Sequence, residues 1–462
     1  MSSVLQALNS ARKAIWANQL GMDTTSHNIA NVNTLGYTRQ RVITSASDPL
    51  TLPEGQLGLG VTVESIERVR NFLLDQRFRE VNDKFGYLSL KEEVFSRVEI
   101  ILQEPSENAI GSLMNDFFLE FSNLAADPEN VAIRNTIIQK SQLLVDSFRS
   151  KYEQLNSLQN SLKQDAINSV KIINDILNQI ADLNGKISTV EDGIIKANDL
   201  RDKRDLLLDR LSKFFKINVI EDDLGNVTVA AEGLNLVSGT QANKFLVDTV
   251  SNNGEQQLII RTSSGNEAVF KYGKMGGIFE MYNQKVVELK ENLDNLAQAL
   301  IENVNNLHVS GKGLPTGNPP RSSTGVHFFT GTGAMDINIS EEILKNVNKI
   351  ATSINGEPGN GDVALAIANL RNNKILNGGT ETFEDYYTSI VKNLAIEIDS
   401  VTNMRESQQL LKNQIENQRQ AESGVSLDEE MTNLIKYQRA FEAAAKIVQA
   451  VDEIMETLVN MV

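Results

Sequence analysis

Proline placement is what most limits this chain. Its eight prolines stand at positions 49, 53, 105, 128, 315, 319, 320 and 358, which leaves 1–48, 129–314 and 359–462 without any. A proline inside a helix removes a hydrogen bond and clashes with the preceding turn, so long helices are permitted in those three stretches. Apolar residues there recur at three and four. Residues 3–33 read as one helix, with Val4, Leu8, Ala11, Ile15, Met22 and Ile29 on a 4-3 spacing and Asn18 and Thr25 as its polar members. Helical period returns from Asn71 to about Leu102, where Pro105 closes it, and again from Ala109 to Ala126, ended by Asp127-Pro128. A long polar helical stretch covers about 129–213, with Gly185 and Gly193 expected to break it.

The intervening segments change character. Residues 36–70 carry Asp48-Pro49, Pro53, Gly55, Gly58 and Gly60 between short alternating pieces, which reads as turns and extended chain. Within 214–277, β-branched runs (Ile217–Ile220, Val227–Ala231, Lys244–Val247, Leu258–Arg261, Ala268–Tyr272) are separated by Asp222–Asn226, Asn252–Glu255 and Ser263–Asn266. That pattern predicts a small antiparallel β-domain. The expected fold is mainly α with this β insertion. In order it has an N-terminal amphipathic helix (1–35), an extended connector (36–70), a helical core (71–213), the β-domain (214–277) and a returning helix (278–310). A loop and mixed segment (311–379), a second helical core piece (380–424) and a C-terminal coiled-coil helix (425–462) follow, the last paired with 1–35.

Composition excludes several functions. A net charge of −16 opposes binding to nucleic acid or to an anionic membrane surface. The absence of cysteine rules out disulfides and thiolate chemistry. No run of 18 apolar residues and no cleavable leader are visible, so these rules alone point to the cytoplasm. The three histidines, 27, 308 and 327, have no zinc-like spacing. Gly311-Lys312-Gly313 and Gly356–Gly361 fit neither a phosphate-binding loop nor a dinucleotide fingerprint, and Asp222–Asn226 lacks the distal glutamate of a calcium loop. No catalytic constellation, cofactor site or metal site emerges, and the chain reads as a non-enzyme.

The tail is the most regular feature. Leu427, Met431, Leu434, Gln438, Phe441, Ala445, Val448, Asp452, Met455, Val459 and Val462 step by four and three, and nine of the eleven are apolar. That is a coiled-coil seam. Ile447, Val451, Ile454 and Leu458 form a second stripe beside it, which implies more than one neighbour. Burying one seam does not offset the entropy of ordering so long a helix. Both terminal helices therefore need partners: each other, the chain's own core, or other subunits.

Residues 28–42 (NIANVNTLGYTRQRV) resemble the N-terminal signature of flagellar rod, hook and hook-associated proteins. Asn28, Ile29, Ala30, Asn31, Asn33, Thr34, Gly36 and Tyr37 carry the likeness, after an amphipathic helix. Ser426–Glu430 and Leu434–Phe441 look like the C-terminal motif of that family. Ala197–Asp205 (ANDLRDKRD) and Gly356–Leu370 resemble its member at the hook–filament junction. The resemblance implies a structural axial protein, exported without a cleaved leader by the flagellar type III apparatus, and so extracellular rather than cytoplasmic. It further implies termini paired as a coiled coil in a polymer. The partners it implies are other copies of the chain, hook protein, hook-associated protein 3 and an export chaperone masking the tail. A hook or rod subunit, or a wall hydrolase on an axial scaffold, are the competing readings.

If the ends are ordered only by such seams, limited proteolysis of the isolated chain should remove residues before about 36 and after about 424 first. A dilute monomer resistant at both ends would contradict this.

Overall fold

The computed structural model describes residues 2–52, 55–102, 109–191, 195–252, 255–316 and 321–460. Pro53, Pro105, Gly193, Pro319, Pro320 and Val462, and the centre of the Asn252–Glu255 turn, lie outside them. Helix α1 (Ser2–Ala30) leads into strands β1 (Gln40–Ala46), β2 (Leu50–Leu52), β3 (Gly55–Leu57) and β4 (Val61–Arg68). Helices α2 (Phe72–Leu102), α3 (Ile110–Ala126), α4 (Val131–Val190) and α5 (Asn198–Ser212) follow. The β-domain holds β5 (Asn218–Glu221), β6 (Val227–Ala231), β7 (Leu234–Ser238), β8 (Gln241–Ala242), β9 (Phe245–Asn252), β10 (Glu255–Thr262) and β11 (Glu267–Ala268). The chain returns through α6 (Gly273–Glu280), a π turn (Met281–Lys285) and α7 (Val286–Ser310). Short pieces β12 (Phe329–Thr330), β13 (Asn338–Ile339), α8 (Glu341–Lys345) and α9 (Asp362–Asn369) precede the long helices α10 (Phe383–Ser423) and α11 (Leu427–Asn460).

Local chemistry explains the ends of these helices. Asn130 caps α4 by accepting from the Ala132 and Ile133 N–H groups at 2.9 and 3.4 Å. Thr382 and Asp385 form a reciprocal capping box at the start of α10. At 60 residues α4 is about 90 Å long, and it runs straight through Gly185, where the sequence suggested a break. A glycine costs only about 1 kcal/mol in a helix interior. Here it admits the Thr240 methyl, 3.2 Å from where a Cβ would stand, so the position serves close packing of the β-domain on α4.

The core lies in the helical body and extends into the β-domain. Ile110, Leu113, Met114, Phe117, Phe118, Phe121 and Leu124 form one buried face of α3. Their rings meet Phe328, Phe329 and Phe383 at centroid distances of 5.5–5.8 Å, which anchors the loop segment after α7. The β-domain has two sheets, β5-β6-β7-β8 and β11-β10-β9, and a cluster of Phe215, Phe245 and Phe270. β1 and β4 form a separate antiparallel ribbon, from Gln40 opposite Arg68 to Ala46 opposite Val61. Buried residues of the terminal helices (Ala11, Ala17, Ala444, Val451) do not join the main apolar cluster. The stem therefore joins the body through polar contacts rather than through the shared apolar core.

His308 pins two loop segments to the end of α7. Its Nδ1–H donates to the Val326 carbonyl at 2.7 Å and its Nε2 accepts from the Ala351 N–H at 2.9 Å. The Nε2 bond requires the neutral ring, and burial pushes its pKa down to about 4. An unfolded histidine takes its proton near 6.5, so the unfolded chain protonates first as pH falls. Stability should be complete above about pH 6.5 and decline towards pH 4, by up to about 3 kcal/mol from this residue. Denaturant melts of wild type and His308→Gln at several pH values check this: the substitution should remove that part of the slope.

Candidate functional site: the root of the terminal helix pair

α1 and α11 pack on each other in antiparallel fashion. Asn28 meets Glu430 at one level, and one heptad away Gly21 lies against the Tyr437 ring, which a Cβ at Gly21 would strike. The covered stripe of α11 is Glu430, Leu434, Tyr437, Phe441, Ala444, Val448, Val451 and Met455, all buried or half-buried. Of the seam residues expected from sequence, Leu434, Phe441, Ala445, Val448 and Met455 are half-buried, whereas Leu427, Met431 and Val459 are exposed. On α1, Ala11 is buried and Val4, Leu8, Ile15, Met22 and Ile29 are half-buried. Met431, Ala445 and Val459 flank the stripe on one side, and Ala440, Ile447 and Ile454 flank it on the other, the larger side chains exposed. The apolar surface of α11 is wider than α1 can cover.

Asn28 ties the stem to the body. Its Nδ2 donates to the Gln40 carbonyl (2.8 Å) and to Glu430 Oε2 (2.9 Å). Its Oδ1 accepts from the Tyr37 hydroxyl (2.7 Å) and the Gln40 N–H (2.9 Å). All four hydrogen-bonding positions of this 1% exposed amide are filled. The turn that brings Tyr37 back is built locally. Asn31 Nδ2 bonds the His27 carbonyl (3.0 Å), and the Thr34 hydroxyl donates to Asn31 Oδ1 (3.1 Å). Gly36 adopts φ +81° against Leu206, a conformation L side chains rarely take. Burial and the charges of Asp199, Asp202 and Glu430 raise the Tyr37 pKa, so its hydroxyl remains a donor.

Beneath the turn runs a charge ladder. Asp199, Asp202, Asp205 and Asp209 follow 3-3-4 spacing along one face of α5. Gln40 Nε2 donates to Asp199 and the Thr38 N–H to Asp202, both at 2.8 Å. Arg68 bridges Asp202 and Asp205 at 2.8 Å each. Arg70 joins Asp75 (2.6 Å) and Asp205 (3.3 Å), and Arg79 joins Asp209 (2.8 Å) and Asp205 (3.4 Å). Arg419 of α10 joins Asp75 (3.0 Å) and Asp209 (2.7 Å). Burial alone would raise the Asp205 carboxyl, but Arg70, Arg68 and Arg79 hold it well below the usual range. Asp202 goes the other way, raised by burial despite Arg68. Sequence reading had noted ANDLRDKRD only as a likeness and had not singled out the arginines or Glu430. The regular acid spacing, facing arginines two apart at the end of β4 and just beyond it, is the available signal. Among the described residues no group of three His, Asp or Glu side chains is placed to hold a metal ion.

Paired termini at a signature turn define an axial protein of the bacterial flagellum, and the comparisons agree at both ends. Residues 8–38 match the flagella basal body rod protein family and residues 413–461 the flagellar basal body rod FlgEFG protein C-terminal family. Residues 95–329 match the flagellar hook-associated protein FlgK helical domain. Flagellar hook-associated protein 1 of Bacillus subtilis is 32% identical over 100% of this chain and 99% of its own length. The Escherichia coli protein of that name is 26% identical over 100% of both. The flagellar hook junction protein FlgK from Burkholderia pseudomallei shares the fold, with a TM-score of 0.64 over 76% of this chain and 100% of its own, at 15% identity. The chain belongs to the flagellar hook-associated protein 1 family, axial structural proteins of the hook–filament junction.

Asn28→Ala would strand Glu430, the Tyr37 hydroxyl and both Gln40 backbone groups. A loss of about 2–4 kcal/mol from stem docking is expected, since each buried unmet group costs about 1–3 kcal/mol. Far-UV circular dichroism in urea, which follows the helicity of α1 and α11, checks the loss. A double-mutant cycle with Glu430→Ala should show coupling above about 1 kcal/mol; additive effects would contradict the link.

Proposed function

We propose that the terminal helix pair is the polymerising element that builds the junction between hook and filament. The single observation that carries this is the surplus apolar surface of α11. Large side chains stay exposed on both sides of the stripe that α1 covers: Met431 and Val459 on one flank, Ile447 and Ile454 on the other. Neighbouring copies that laid their own stems along those flanks would bury them, at about 25 cal/mol per Å². A contact between two different flanks is heterologous, so it generates a ring or a helix rather than a closed dimer. The charge ladder at the stem root supports the reading, because it fixes the angle at which each body leaves the stem.

On this reading the outward partners are hook protein on one side and hook-associated protein 3 on the other. Before assembly the same flanks need cover, which fits an export chaperone on the tail. Delivery to the flagellar tip falls to the type III export apparatus. The chain acts by binding and shape, with no enzymatic step.

Met431→Asp combined with Ile454→Asp leaves the α1-facing stripe intact while charging both flanks. In a strain deleted for this gene, the wild-type copy should restore swimming and the double variant should not. Filament monomers should then appear in the medium while hooks remain. Circular dichroism of the variant should match wild type. Normal motility with the charged flanks would sink the proposal.

A further inference from the structure

The β-domain joins the helical body through a neck of two strands of chain. Residues 213–217 lead in and residues 269–275 lead out. The two are laced together by Lys274 N–H to the Lys213 carbonyl and Met275 N–H to the Phe214 carbonyl, both at 2.9 Å. α2 lies directly against this neck. A Cβ on Gly86 would collide with the Lys213 carbonyl, and Asn82 Nδ2 donates to the Asp209 carbonyl (2.9 Å) and Ser212 Oγ (3.0 Å). One residue on from Asn82 stands Asp83, 2% exposed, with an enclosed Oδ1 that has no hydrogen-bond partner. It lines a cavity of about 110 Å³ between α2 and β5, together with Gln76, Glu80, Lys216 and Asn218.

We propose that Asp83 is a proton-operated latch at this neck: with a proton on the carboxyl the neck closes on α2, and without it the neck loosens. The physical basis is the cost of a buried carboxylate with one oxygen left without a donor: the Lys84 backbone N–H bonds the group, but Oδ1 stays unmatched, and burial penalises the ionised form more than the neutral acid. The charged groups around it do not cancel that cost. On α2, Arg79 is engaged by Asp209 of α5 and by Asp205, Lys84 favours the ionised form, and Glu80 opposes it. From the neck Lys216 favours the ionised form, but its side chain belongs to an exposed residue. Lys213 and Lys274 contribute backbone groups to the lacing. On α10, Lys412 lies over the Phe78 and Phe85 rings at 5.7 and 4.7 Å. Burial prevails and pushes the Asp83 pKa up to about 6.

When the neck opens, Asp83 meets water and behaves as an ordinary aspartate with a pKa near 3.9. The closed form then holds its proton where the open form has lost it, so opening becomes easier as pH rises from about 4 to about 6. Above that range it levels off. Such a device lets the outer domain of a flagellar subunit stiffen in acidic surroundings.

Hydrogen exchange of the full chain tests this at the neck amides, 213–220 and 273–276, with protection corrected for intrinsic exchange rates. Wild type should lose roughly 30-fold in protection between pH 4.5 and 7.5, the value linkage predicts for those two pKa values. Asp83→Asn, which mimics the neutral acid, should keep its protection across that range. A wild-type pH slope persisting in the variant would overturn the proposal. A carbon-13 carboxyl titration of wild type supplies the second readout: a midpoint near 6 supports the latch, and one near 4 overturns it.

Discussion

A buried amide sits where the two ends of this chain meet. Asn28 bonds the connector strand at both Gln40 backbone groups, the signature tyrosine, and a glutamate 402 residues away in sequence. Without it the helix pair would be an amphipathic seam with weaker register, because small residues such as Ala11, Ala17 and Ala444 offer little shape to set it. The hydrogen-bonded node fixes the register at one level. Gly21 then fixes it at a second by leaving room for the Tyr437 ring. Everything outward of that node inherits its position from it.

The charge ladder extends the same logic into the body. Buried ion pairs contribute little net stability against an apolar replacement, because desolvation offsets most of the attraction. Their value here is geometric. Acids at 3-3-4 spacing on α5 meet arginines from β4, the residues after it, α2 and α10. Sliding any one of those elements by a turn would leave a buried charge without its partner, at several kcal/mol. The ladder thus rejects wrong angles between stem and body far more strongly than it favours the correct one.

Much of this was legible beforehand. Proline-free stretches marked the long helices, and β-branched runs between turn residues marked the β-domain. The Asp222 turn forms as read, with its carboxylate accepting from the Leu224 and Asn226 N–H groups. Gly185 misled because glycine is ambiguous: it weakens a helix by little, and the close approach of Thr240 that it permits is a tertiary fact. Strand β8, two residues long, is too short to register as a period, and β7 (LNLVS) carries a single β-branched residue, Val237. Sequence placed the tail's stripe on two lines, through Leu427 and through Met431; α1 covers the Leu427 line at Leu434, Phe441, Val448 and Met455, but pairs it with the line through Glu430, Tyr437, Ala444 and Val451 instead of the Met431 line. A helix with apolar residues on three adjacent lines has more than one candidate seam, and its own spacing cannot choose between them. The partner chooses, through Asn28 and Gly21.

On the proposed assembly, that ambiguity follows from what the helix would have to do. A helix meant for one neighbour needs one stripe and gains by making the flanks polar, since exposed leucine, isoleucine and methionine invite aggregation. α11 keeps Met431, Ile447, Ile454 and Val459 in solvent beside the covered line, in a chain that otherwise carries a net charge of −16. The charge repels free copies at long range, and the flanks attract at contact. Two such terms of opposite sign and different reach slow encounters between scattered monomers. They still permit docking where an existing layer presents several complementary stems at once. The width that made the seam hard to read is the same width that leaves surface for a neighbour on each side.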